Sequence, residues 1–193
     1  MMKFDDLLYL DPEFLSEKYE EKTGIPPNTM LSRNEGMSGG MSAYFLKSEL
    51  HSQLTKQYST SIQTMFKATQ ELLDEYPKSQ PELTPGIKPN NLWVTGKLTV
   101  GHWKKNDDVE IPEGQMNTFF EIDSEEVTYA LLPQKEYFRS NIDALEIITP
   151  ALQRFIDIPV KCLCKVLYPL PDIKTFVATP YIIISNQRVD PTR

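Results

Sequence analysis

The chain has 193 residues, a formal net charge of -7, 40% apolar and 24% charged residues. That composition excludes a disordered tract and a disulfide-stapled miniature, and leaves one domain, or one domain with an appendage, able to bury its own core. The negative charge opposes the counterion release that drives binding to nucleic acid. Lys104-Lys105 is the one adjacent basic pair and Asp107-Asp108 follow it, so nucleic acid is a disfavoured partner. The start Met-Met-Lys-Phe-Asp-Asp lacks the apolar core of a signal peptide, and no apolar run approaches the roughly 20 residues of a membrane helix. A cytoplasmic location without a membrane partner is expected.

Leu7-Leu8-Tyr9-Leu10 is a short apolar run ending at Asp11-Pro12, the pair that opens a helix. The helix is predicted over residues 12–23, with Phe14, Leu15 and Tyr19 inward, Glu13 and Glu17 early where the dipole favours anions, and Gly24 as its stop. Residues 28–40 are rich in turn formers and read as a loop. A phosphate cradle there lacks the lysine and Ser/Thr of a P-loop.

Residues 42–76 carry apolar residues close to one helical turn apart: Leu46, Leu50, Leu54, Tyr58, Ile62, Met65, Phe66, Leu72, Leu73 and Tyr76. One helix over that stretch would be about 50 Å long at 1.5 Å per residue, and would need a partner surface along its length. Thr60 and Gln63 have capping-box spacing, so the alternative is an element over 42–57 followed by a helix over 60–76. On either reading Leu46, Leu50, Leu54, Tyr58 and Ile62 are the candidate partner-contacting residues.

Pro77, Pro81, Pro85 and Pro89 make residues 77–91 an extended, semi-rigid spacer. It divides a helical part over 1–76 from a sheet-forming part over 92–193. Residues 92–103 alternate, with Leu92, Val94, Leu98 and Val100 on one side and Trp93, Thr95, Lys97, Thr99 and Trp103 on the other, which predicts a half-buried strand. Gly96 and Gly101 mark bends. Strands over 117–122 and 126–132 complete an antiparallel meander. A helix follows, with Ile142, Leu145, Ile148, Leu152, Phe155 and Ile156 inward and Pro150 as a restart. Strands over 160–167 and 175–185 end the chain, with Pro180 at an edge or bend. The predicted class is α+β: N-terminal helices, one of them long, then a mostly antiparallel sheet in the order β-β-β-α-β-β. Cys162 and Cys164 fall on one face of a strand without metal-ligand spacing or a nearby histidine, and read as buried thiols.

The Tyr9-Leu10-Asp11 opening, the amphipathic helix after it, Glu35-Gly36, Gly39-Gly40 and the Ser59-Thr60-Ser61 approach to a helix resemble an uncharacterised bacterial family of unknown function. The likeness covers about the first 75 residues. It implies a prokaryotic or phage origin and carries no activity.

Four groups of residues are candidate sites. Trp93, Lys97, Trp103 and Lys104, with Lys105, would form an aromatic and basic platform of the kind on which small barrels stack bases; alternatively the tryptophans pack under the helix over 142–156. His102 with Asp107 or Asp108 would serve a hydrolase. Asp107, Asp108 and Glu110 supply hard oxygens but lack the spacing of a calcium loop, so a solvated turn is expected. The fourth group is the helical stripe. No cofactor motif and no metal-ligand set is present. The leading expectation is a non-enzymatic binding or assembly protein that meets a protein partner or a second copy of itself through its apolar helical surface. A module sensing a nucleotide-like small molecule is the alternative, and a hydrolase the third.

Overall fold

The computed structural model of the chain describes residues 2–26, 60–78, 82–84, 88–102, 118–139, 142–146 and 155–186. Strand β1 (Leu7–Leu10) leads into helix α1 (Pro12–Thr23). The Asp11 carboxylate accepts from the Glu13 and Phe14 amides at 2.9 and 3.0 Å, Pro12 needs no partner for a missing N–H, and Gly24 closes the last turn at φ 69°. Helix α2 spans Thr60–Asp74. Strands β2 (Asn90–His102), β3 (Thr118–Ser124), β4 (Val127–Leu131), β5 (Ile158–Leu170) and β6 (Thr175–Ser185) follow.

These five strands close on themselves. β2 pairs with β3, β3 with β4 and β5 with both β2 and β6, all antiparallel, while β4 pairs with β6 in parallel. The result is a mixed five-stranded barrel with β1 added to β6 beyond the end of β4. Long β2 serves two partners, β5 through Leu98 and β3 from Lys97 onward. The bend between them falls at Gly96, where an added Cβ would lie 2.7 Å from Ile122 Cγ2 and closer still to the Asp123 carbonyl oxygen. Only a residue without a side chain lets β3 cross there. Pro180 sits where β6 passes from β4 to β1, between the pairs Leu131 with Ala178 and Leu10 with Ile182, a place where a missing donor leaves no gap in the ladder.

Two cores result from the pleat. Inside the barrel lie Tyr9, Val94, Phe120, Ile122, Tyr129, Phe176 and Ile183 among others. Outside it, α1 and α2 cover one half of the wall through Phe14, Leu15, Tyr19, Ile62, Met65, Phe66 and Leu73. Register rows show the alternation. Trp93, Leu163, Ile182 and Leu10 are neighbours across β2, β5, β6 and β1 and point to the helices, while Val94, Cys162, Ile183 and Tyr9 form the next row and point inward. Residues on both sides of the proline run share this second core, and the Pro77 carbonyl accepts from the Trp93 amide at 2.7 Å. Cys162 and Cys164 are free, buried thiols on the inner face.

The sheet is mostly antiparallel, as expected; it closes into a barrel, and β4–β6 is its one parallel pairing among the described strands. One expectation is corrected: between β4 and β5 the described residues hold no α-helix, only the 3-10 turns Lys135–Tyr137 and Asp143–Glu146. Extended backbone wins there because Phe138 bridges Tyr9 and the Arg139 amide donates to the Leu8 carbonyl at 2.8 Å. Ile142 and Leu145 still pack on the barrel core, at the three-residue spacing that a 3-10 turn repeats. The predicted inner-face positions Ile148 and Leu152 lie outside the described residues, as does the stretch 42–57 of the long-helix reading.

Candidate functional site

Of the residues singled out in the sequence as candidate sites, Ile62, Trp93, Lys97 and His102 lie among the described residues. Ile62 is 3% exposed under α2 against the barrel wall, and Met65, Phe66 and Leu73 join it there, so this part of the stripe is covered by the protein's own sheet. Leu46, Leu50, Leu54 and Tyr58 lie outside the described residues, as do Trp103, Lys104, Lys105, Asp107, Asp108 and Glu110. His102 ends β2 opposite Thr118. Among the described residues no group of three or more His, Cys, Asp or Glu side chains could hold a metal ion, and no helix is long and apolar enough to cross a membrane.

Trp93 packs under α2 rather than under a helix over 142–156. It is 7% exposed, and its indole N–H donates to the Leu73 carbonyl at 2.7 Å. Its edge lines an open cleft of about 110 Å³ with Met2, Asp74, Lys78, Thr95 and Lys161. Sites that bury a nucleotide-sized ligand run to roughly 300–1,000 Å³, so this cleft is too small for one. Lys97 lies four residues further along β2 on the same side as Trp93, but its ammonium is held by Asp157 at 2.6 Å, both groups being half exposed or more.

The half of the barrel wall that neither α1 nor α2 covers presents a different surface. None of the residues in the helix-covered core comes from β3, β4 or the first half of β6. Register carries one row across this face from Thr99 through Glu121, Ala130 and Val177 to Tyr168, and the next from Lys97 through Asp123, Thr128 and Thr175 to Leu170. Tyr168 is 50% exposed and Leu132, just past β4, is 54% exposed. Tyr168 reaches the outside because of a β-bulge. Cys162, Cys164 and Val166 alternate inward along β5, and a register shift between Val166 and Tyr168 turns Tyr168 out instead.

At the other end of the row, Glu121 is half-buried. Gly101 leaves room for it: a Cβ there would lie 2.5 Å from Glu121 Oε2 and 2.7 Å from Phe119 Cζ. Burial, and next the charge of Asp123, push the Glu121 carboxyl above the usual carboxylate range. Glu121 and Asp123 thus make one flank of the face acidic. Lys165, paired with Thr179, stands on the β5 flank.

Of this face the sequence singled out Lys97 but not Glu121, Leu132 or Tyr168, and there 160–167 ended a strand one residue short of Tyr168. The signal was Leu167-Tyr168-Pro169-Leu170-Pro171, since prolines inside a strand mark an edge or a bulge. Set against family models, curated proteins and solved structures, the chain finds a match in none of the three.

Proposed function

We propose that this protein is a non-enzymatic binding module whose partner docks on the part of the barrel wall that α1 and α2 do not cover, across β3, β4 and the end of β5. The observation that carries the reading is the bulge in β5, which places Tyr168 half exposed on a face that also presents Leu132. Bulges recur where a strand re-aims a side chain toward a functional surface, and tyrosine is among the residues that anchor interfaces. Five-stranded Greek-key barrels of the OB type take ligands on the outer face of their second and third strands, here β3 and β4, an analogy of architecture that adds support of its own. The acidic flank argues against a phosphate backbone as the occupant and favours a protein surface.

A photo-crosslinking phenylalanine analogue at Tyr168 tests the reading in living cells. A protein adduct is expected at that position and at Leu132, and none at Glu20, which is exposed on α1. Equal labelling at all three positions, or none, would reject it.

A further inference from the structure

Resting on the binding reading above and adding the chemistry of the partner, we infer that this face receives a protein segment whose arginine pairs with Glu121 and whose neighbouring apolar residue packs on Leu132.

Register fixes what surrounds Glu121. Thr99 stands opposite on β2 and Ala130 opposite on β4, while Phe119 and Asp123 are the next outward residues along β3. The side chain leans into the row of Gly101 and Phe119: a Cβ at Gly101 would lie 2.5 Å from Glu121 Oε2 and 2.7 Å from Phe119 Cζ. The carboxylate therefore occupies the notch that a side chain at 101 would otherwise fill. Leu132 extends the same row. Its amide donates to the Ala178 carbonyl at 2.9 Å, so the chain keeps the course of β4, and the register that sets Ala130 against Glu121 brings Leu132 beside Phe119. More than half of Leu132 is exposed there.

Among the described residues this carboxylate has no cation of its own. Lys97, opposite Asp123, is held by Asp157 at 2.6 Å, and none of the ion pairs includes Glu121. Burial and the charge of Asp123 both work against its ionised form. A glutamine would fill the same notch without either cost, so the acid lowers the stability of the free protein. A cation brought by the partner reverses that balance. Arginine suits the place better than lysine, because its planar fork takes a carboxylate bidentately and its head is the more weakly hydrated. Gly101 and Leu132 are two strand spacings apart, about 10 Å, and outward residues two apart in an extended segment are separated by about 7 Å. The apolar stem of the arginine covers the remainder. Asp123, exposed and outside every ion pair among the described residues, adds a second negative charge that steers a basic segment to this flank.

One ion pair with one apolar contact gives a dissociation constant on the order of millimolar. The probe is therefore a blocked pentapeptide, acetyl-Gly-Arg-Gly-Leu-Gly-amide, added to the full chain up to about 20 mM and followed by proton–nitrogen NMR. The amides of Gly101, Phe119, Glu121 and Leu132 should shift along one saturating curve. The same peptide with citrulline, which keeps the shape of arginine and loses its charge, should bind at least about tenfold more weakly. Glu121→Gln should lose the arginine peptide to the same degree without a fall in Tm, which separates a binding role from a structural one. No shift, equal shifts at exposed carboxylates elsewhere such as Glu20, equal affinity for the citrulline peptide, or unchanged binding by Glu121→Gln would overturn the inference. If the peptide fails while the Tyr168 crosslink still traps a protein, the arginine is rejected and the binding face stands; if no adduct forms, both fall.

Discussion

Replacing Trp93 by phenylalanine isolates the bond that ties α2 to the barrel. The indole N–H donates to the Leu73 carbonyl at 2.7 Å, one residue before the end of α2, where carbonyls have no partner within the helix. Both groups are buried, so phenylalanine leaves an acceptor with neither protein nor water. An unsatisfied buried acceptor costs about 1–3 kcal/mol, and the smaller ring adds about 1 kcal/mol of lost packing against Leu163 and Leu73. The expected loss is about 2–4 kcal/mol, a fall in Tm of roughly 5–12 °C for a chain of this size. Urea and thermal unfolding followed by far-ultraviolet circular dichroism give the number without relying on tryptophan emission. Hydrogen exchange should quicken most in the last turn of α2. A loss below about 0.5 kcal/mol would mean that the Leu73 carbonyl finds another donor, and the account of how α2 is anchored would fail.

Other perturbations follow from the same geometry. Gly96→Ala drives a methyl against the Asp123 carbonyl and Ile122 and should cost about 1–3 kcal/mol or more by overpacking. Gly101→Ala meets only the ends of the Glu121 and Phe119 side chains and should cost less; the reverse order in urea melts would contradict the bend assigned to Gly96. The raised Glu121 carboxyl, displaced by burial and then by Asp123, favours the folded state below the ordinary value of 4.5, an advantage lost as pH rises through the elevated folded pKa. Glu121→Gln should therefore be the more stable protein at pH 7, with the difference from the parent shrinking as pH falls through that window; a less stable variant at pH 7 would point to a cation that holds the carboxylate. Cys162 and Cys164 face the barrel interior, and burial pushes the Cys162 thiol well up, so a thiol reagent should label neither until urea unfolds the chain. Native labelling at the rate of a free thiol would displace them from the core.

Much of this fold is written locally. Asp11-Pro12 and Gly24 bound α1 at the predicted residues because caps act within one turn. The strands over 92–103, 117–122, 126–132, 160–167 and 175–185 appear within a few residues of their predicted limits, since alternation is a property of each strand alone. Closure was not legible. Whether β6 lies beside β4 depends on pairings between residues about 47 apart, and nothing in Val127–Leu131 declares that one of its neighbours will be parallel. The start of the helix expected over 142–156 is a 3-10 turn for a related reason: the apolar spacing of Ile142 and Leu145 is real, but Phe138 and Arg139 are committed to β1, and that contact sets the path of the backbone.

The half of the barrel wall that α1 and α2 cover was legible in a pattern that alternation alone conceals. A strand buried on one face alternates, whereas a strand buried on both reads as a continuous apolar run. Leu92-Trp93-Val94, Cys162-Leu163-Cys164 and Ile182-Ile183-Ile184 are three such runs, and they are the adjacent segments of β2, β5 and β6 that carry helices outside and core inside. Thr175-Phe176-Val177-Ala178, earlier on β6, mixes a hydroxyl with apolar residues and is buried on both faces as well, although neither α1 nor α2 covers it. The two bulges stand at the junction of these regimes. The shift opposite Leu163 and Cys164 takes up Tyr181, which stacks on Phe14 at 3.9 Å and sets Ile182 under the helices. The shift before Tyr168 reverses the phase of β5 beyond the covered region. Without it Tyr168 would point into a barrel already filled by Phe176 and Tyr129, so the extra residue relieves the core and turns an aromatic side chain to the outer face, where it is half exposed, in one step.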